Sequence, residues 1–194
     1  MDRNPGTSLP DIKAALRREV FARRKAAHAD APTRAARAMA TFEAAGLAAG
    51  AGVVSAYLPI RTEIDPLPLM AVLHAAGHRV CVPVIEAQAQ PLAFREWRPG
   101  VALEVGAFDV QIPVEGDWLE PELLIAPLVA FDRGCWRLGY GGGFYDRTLE
   151  KLRALRPTRA VGYAYAAQEV PEVPREPTDQ PLDAVVTEDG VLRP

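Results

Sequence analysis

The segment Arg137-Leu-Gly-Tyr-Gly-Gly-Gly-Phe-Tyr-Asp146 constrains this chain more than any other. Four glycines, Gly139, Gly141, Gly142 and Gly143, fall in five positions. The apolar run Leu123 to Phe131 precedes them, and a helical pattern from Tyr145 to Leu155 follows. The order is strand, glycine loop, helix. Such a loop exposes backbone N–H groups beside the positive end of a helix, which favours an anion, phosphate above all. It is neither a Walker A loop, which needs Gly-x-x-x-x-Gly-Lys-Ser/Thr, nor a dinucleotide fingerprint, because Phe144 stands sixth from Gly139. One or two glycines would satisfy a sharp turn. Four, flanked by Arg137 and Asp146, ask for close approach of a ligand.

The remaining pattern alternates strands and helices. Helices are expected over Pro10 to His28, Thr33 to Leu47 and Pro66 to Ala76. Strands are expected over Val53 to Leu58, Arg79 to Val84, Leu92 to Trp97, Leu123 to Phe131, Arg159 to Tyr163 and Ala184 to Thr187. Pro99 to Trp118 reads as loops with a short strand, and Pro171 to Pro181 as an extended proline-rich loop. Apolar strands alternating with helices give an α/β domain with a largely parallel sheet. With 194 residues and no internal linker or repeat, a single domain spanning 1–194 is expected, residues 1–9 being flexible. Ligands of such sheets bind beyond the C-terminal strand ends, here after Leu58 and after Phe131.

Composition narrows the partners. A net charge of -3, with basic residues gathered mainly near the start, argues against nucleic acid. The most apolar stretch, Ala44 to Ile60, is interrupted by Gly46, Gly50 and Gly52, so no membrane span is expected. Cys81 and Cys135 make no disulfide framework or zinc spacing, and Met1 to Gly6 lacks the order of a signal peptide; a cytoplasmic setting is expected.

Several side chains carry two readings each. Arg137 could clamp a phosphate bidentately or sit exposed in a loop. Asp146 could favour the helix dipole or, beside a triphosphate, hold Mg²⁺. Phe144 and Tyr145 could stack on a heterocycle or join the core, one of the two being buried. Lys13, Arg17 and Arg24 share one stripe of the first helix, bordering Ile12 and Leu16. Helix geometry favours their lying along a solvated edge over reaching into a cleft. Glu63 and Asp65, Asp179 and Asp183 are loop carboxylates that could bind a ligand or nothing. His28, His74 and His78 form no metal spacing.

Ala130-Phe-Asp-Arg-Gly-Cys-Trp-Arg-Leu-Gly-Tyr-Gly-Gly-Gly-Phe-Tyr-Asp146 closely resembles the signature of the 5-formyltetrahydrofolate cyclo-ligase family, also called 5,10-methenyltetrahydrofolate synthetase. Lys13-Ala-Ala-Leu-Arg17 resembles the family's ATP-contacting helix, Tyr57 to Glu63 its folate-contacting strand and turn, and Asp183 to Gly190 its closing strand. The resemblance implies a three-layer α/β/α fold with a mainly parallel sheet, similar to the ribose-5-phosphate isomerase and CoA-transferase group. It implies an ATP- and Mg²⁺-dependent ligase that cyclises 5-formyltetrahydrofolate, mono- or polyglutamylated, to 5,10-methenyltetrahydrofolate through a phosphorylated formyl intermediate, acting as monomer or homodimer. Arg137 and Tyr145 would then be catalytic. Lys13, Arg17, Arg137, Leu138, Gly139, Tyr140, Gly141, Gly142, Gly143, Phe144 and Tyr145 would bind ATP. Leu58, Glu63, Tyr140 and Phe144 would contact the folate, and Asp146 and Asp183 the Mg²⁺. The chain departs from the family at Tyr140 and Gly142, where a basic residue is common, at Phe144, the first of two usual tyrosines, and at Thr178, where a His-Asp pair is common. These departures leave open a paralogue that binds without turnover or acts on another folate or pterin.

Overall fold

The computed structural model describes residues 8–194. Helix α1, Leu9–Ala27, starts where Ser8 caps it, with Pro10 and Asp11 in the first turn. Of the stretch 1–9 expected to be flexible, Ser8 and Leu9 therefore belong to a capped helix start; residues 1–7 lie outside the described residues. A short 3₁₀ turn, His28–Asp30, leads into α2, Ala31–Ala44. Then come β1 Val53–Ser55, α3 Leu67–Ala75, β2 Arg79–Val84 and β3 Ala93–Trp97. A hairpin of β4 Leu103–Val105 and β5 Gln111–Pro113 follows, where the sequence suggested a single short strand.

The main sheet is completed by β6 Leu123–Ala126, β9 Arg159–Tyr163, β10 Ala184–Thr187 and β11 Gly190–Leu192. Its strand order is β11-β10-β9-β6-β1-β2-β3. The five inner strands pair in parallel, and the edges β3 and β11 are antiparallel. Side chains alternate between faces as the pleat requires. Val54, Val80, Leu123, Ile125, Val161 and Val186 meet α2 and α3 on one face. Cys81, Leu124, Ala160 and Val185 meet Leu149 and Leu152 of α4, Phe144–Leu155, on the other. The result is three layers, α/β/α. No helix of the described residues is long and apolar enough to cross a membrane.

One strand differs from expectation in a way that shapes the site. The run Leu123 to Phe131 is not continuous, because Pro127 has no N–H to extend the ladder. β6 ends at Ala126, and β7, Ala130–Phe131, turns away to pair antiparallel with β8, Arg137–Leu138. The glycine loop is thus launched from a small hairpin rather than from the central strand. That hairpin packs against α1 through Val20, Val129, Ala130 and Leu138, with Val170 and Val173 of the proline-rich segment.

A cleft between the glycine loop and the first helix

Two segments converge at the C-terminal end of the parallel strands. The first is the turn after β1. There Glu63 is 5% exposed, and its Oε2 accepts the Ile60 N–H at 2.9 Å. Half-buried Leu58 packs against the main core nearby, and Asp65 accepts from the Leu67 N–H at the start of α3, a local structural role. The second is the glycine loop. Gly141 at φ 107° and Gly143 at φ 63° occupy left-handed backbone that favours glycine. Gly143 is the N-cap of α4 and no side chain caps it, so the first-turn N–H groups have no intrahelical partner, the arrangement that favours an anion.

Helix α1 closes the cleft. Arg17 Nε donates to the Gly139 carbonyl at 2.8 Å. Arg24, 1% exposed, donates from Nε to Thr62 Oγ1 at 3.1 Å and from Nη1 to the Tyr140 hydroxyl at 2.7 Å. Tyr140 in turn donates to Glu63 Oε1 at 2.7 Å. Lys13, 7% exposed, donates to Glu176 at 2.7 Å and to Asp179 at 3.0 Å. The solvated-edge reading of this stripe is therefore wrong for Lys13 and Arg24. Tertiary contacts with loops more than thirty residues away in sequence cover them, and helix periodicity cannot register that. Arg24, Glu176 and Asp179 were not among the assigned site residues; the stripe itself was the signal for Arg24.

The electrostatics follow from burial. Loss of water raises the Glu63 pKa above the usual carboxylate value; the Ile60 N–H, the Tyr140 hydroxyl, Arg24 and Arg61 pull it partly back. Burial pushes the Tyr140 and Tyr145 phenols up, so both keep their protons. For Lys13 burial works against the charge, but hydrogen bonds to Glu176 and Asp179 outweigh it and its pKa is raised.

Arg137 and Asp146 are joined to each other. Arg137, 8% exposed, donates from Nη2 to Asp146 Oδ1 at 2.8 Å and from Nη1 to the Gln180 carbonyl at 2.6 Å; Asp146 Oδ1 also accepts the Gln180 N–H at 3.0 Å. Arg137 is thus held in the wall of the cleft and not exposed in a loop. Phe144 is half-buried, edge-on to Phe108 with ring centroids 6.1 Å apart, while the Tyr145 hydroxyl is fully enclosed.

Two assigned residues are engaged elsewhere in the structure. Asp183 accepts from Arg153 at 2.9 Å and from the Ala160 N–H at 2.7 Å. It sits at the N-terminal end of β10, whereas Asp146 lies in the first turn of α4 beyond the C-terminal strand ends. Arg153, which holds Asp183, lies about two turns further along α4 than Asp146, so the two carboxylates are engaged at different ends of that helix. Leu138 is 2% exposed in the hairpin cluster, and its carbonyl accepts the Val129 N–H at 2.8 Å, so its side chain belongs to the core beneath the loop. Among the described residues no three His, Cys, Asp or Glu side chains gather as a metal site. Mg²⁺ carried by phosphate needs only one or two carboxylates with phosphate oxygens and water, a demand that Asp146 fits.

The profile of the 5-formyltetrahydrofolate cyclo-ligase family matches residues 11–188, nearly the whole chain. The chain belongs to that family. A 5-formyltetrahydrofolate cyclo-ligase of Escherichia coli strain K12 is 40% identical over 143 residues, 71% of this chain and 78% of that protein. One from Mycolicibacterium smegmatis is 34% identical over 154 residues, 73% of this chain and 76% of that protein. The solved structure of a 5,10-methenyltetrahydrofolate synthetase from Aquifex aeolicus superposes with a TM-score of 0.78 at 29% identity, over 94% of this chain and 92% of its own. The α/β architecture with its mostly parallel sheet is thus the family's.

Proposed function

We propose that this chain catalyses the ATP- and Mg²⁺-dependent cyclisation of 5-formyltetrahydrofolate to 5,10-methenyltetrahydrofolate, releasing ADP and phosphate. The observation that carries the reading is the 2.7 Å bond between Tyr140 of the glycine loop and Glu63 of the β1 turn, which joins the two segments expected to hold phosphate and pterin. Family membership supports the same reaction. The γ-phosphoryl group passes to the formyl oxygen and makes it a phosphate leaving group. The anilino nitrogen then attacks the activated carbon and gives its proton to solvent, the C–O bond breaks as phosphate leaves, and the methenyl bridge remains.

In such phosphoryl transfer a protein chiefly positions reactants and stabilises charge. The free N–H groups of the glycine loop and first turn of α4, with Arg17, Lys13 and Arg137, would hold the triphosphate. Glu63, ionised, would accept the pterin ring N–H groups, and Phe144 would offer its face to a flat ring. Asp146 would hold a Mg²⁺ ion, which would supply positive charge to the triphosphate. The two buried, unpaired thiols Cys81 and Cys135 suit a reducing cytoplasm.

The test is the near-ultraviolet absorbance of methenyltetrahydrofolate when purified protein meets 5-formyltetrahydrofolate and ATP with Mg²⁺. A rise that needs ATP and Mg²⁺ together is expected. Binding of 5-formyltetrahydrofolate without any rise would instead identify a non-catalytic or altered-substrate relative.

A further inference from the structure

Helix α1 carries arginines at 17, 18, 23 and 24, and of these Arg24 alone is buried. Its guanidinium lies over two neighbouring aromatic rings, 5.1 Å from the centroid of Phe21 and 5.5 Å from that of Tyr140. Its Nη1 is 4.0 Å from Glu63 Oε1, the oxygen that receives the Tyr140 proton. A buried cation therefore reaches a buried carboxylate through a single hydroxyl, which accepts from one and donates to the other. We infer that Arg24 is a positioning residue for the substrate: through the Tyr140 hydroxyl it keeps Glu63 ionised and aimed into the cleft, and so sets the affinity for the pterin's N–H edge. The inference rests on Glu63 being the folate acceptor.

The groups facing Glu63 are few. Arg24 comes from α1, Tyr140 from the glycine loop, Tyr145 from α4, Tyr57 from the end of β1, and Arg61 from the carboxylate's own turn. The three phenols are held neutral by burial. The cations are Arg24, which is buried, and Arg61, which is exposed and therefore screened. Remove Arg24 and the carboxylate faces burial without its near countercharge, so its proton is held to higher pH. A neutral Glu63 can no longer accept two ring N–H groups. Raising the pH ionises it again and restores the acceptor.

The experiment is steady-state kinetics on Arg24→Met, Arg24→Lys and Tyr140→Phe against the unaltered protein, from pH 6.5 to 9.5. For Arg24→Met the KM for 5-formyltetrahydrofolate should rise about tenfold at neutral pH, as for loss of a charge-assisted bond. It should fall back toward the original value at the alkaline end, while kcat and the KM for ATP change less than about twofold. Arg24→Lys, which keeps the charge, should recover most of the loss, and Tyr140→Phe, which removes the hydroxyl through which Arg24 acts, should show a rise at least as large as that of Arg24→Met. A folded Arg24→Met whose folate KM does not move, or moves equally with the ATP KM at every pH, overturns the inference and leaves Arg24 a structural ion pair. If Arg24→Met does not fold, an unchanged folate KM in both other variants overturns it. Should the unaltered protein turn nothing over, titration with 5-formyltetrahydrofolate decides. Arg24-dependent binding keeps the inference and discards the reaction; no binding discards both.

Discussion

The four tyrosine hydroxyls enclosed by this protein are not alike. Tyr57 donates to the Ile64 carbonyl at 2.8 Å, Tyr163 to the Ala35 carbonyl at 3.2 Å, and Tyr165 meets the His28 ring at 3.2 Å. Tyr145 is shut from water and meets no partner among the described residues. An unsatisfied buried donor costs about 1–3 kcal/mol, so a hydroxyl kept there asks for a reason other than stability. Burial raises its pKa, with the Glu63 charge adding and Arg137 opposing, and the group stays a proton donor. An oxygen-rich ligand entering the cleft would supply the missing acceptor. Tyr145→Phe should therefore melt higher, by about 2–4 °C for each kcal/mol relieved in a chain of this size, while kcat/KM falls about tenfold or more. A lower melting temperature would mean that the hydroxyl already has a partner in solution and is structural.

The glycine loop separates, position by position, what a turn needs from what a ligand needs. A Cβ at Gly139 would meet nothing within 4 Å, and its backbone is not left-handed. At Gly143 the left-handed φ of 63° penalises any side chain by about 1–2 kcal/mol. Gly143→Ala should lower stability by that amount. Gly139→Ala should leave the melting temperature within about a degree, as for a neutral surface change. It should still raise the KM for ATP about tenfold if the loop holds the triphosphate as proposed, because a methyl group would then stand between backbone and phosphate. An unmoved KM would show that no ligand comes close at Gly139. Such distinctions also mark how far the sequence could be read. Inner parallel strands such as Leu123–Ala126 and Arg159–Tyr163 are buried on both faces and show as apolar runs, and the helices begin at prolines and caps, so the layers were legible. The break at Pro127 was visible as a disturbance, but the pairing of β7 with β8 that re-aims the loop depends on contacts periodicity does not encode. The cleft was legible in Glu63 and the glycines. The burial of Arg24 depends on Tyr140, 116 positions away, and the engagement of Asp183 on Arg153 and the Ala160 N–H.

At the scale of the whole molecule α1 lies against the loops at the C-terminal end of the sheet and ties them together. Arg24 holds the β1 turn, Arg17 the glycine loop, and Lys13 the proline-rich loop through Glu176 and Asp179. The last tie conflicts with the proposed role of Lys13, since an ammonium engaged by two carboxylates must loosen one of them to meet a phosphate. ATP and the proline-rich loop should therefore compete for it. Glu176, whose side chain is 50% exposed, is the partner easier to remove without disturbing the core. Glu176→Gln is expected to lower the KM for ATP about two- to fivefold, the range appropriate to one partly exposed ion pair. In the unaltered protein, saturating ATP should quicken amide exchange across 171–181 as the strap lets go, even while the glycine loop becomes more protected. An unchanged KM together with a loop that stays equally protected would place Lys13 permanently with its carboxylates. The triphosphate would then be left to Arg17, Arg137 and the backbone N–H groups, and α1 would be a fixed wall of the cleft and not its clasp.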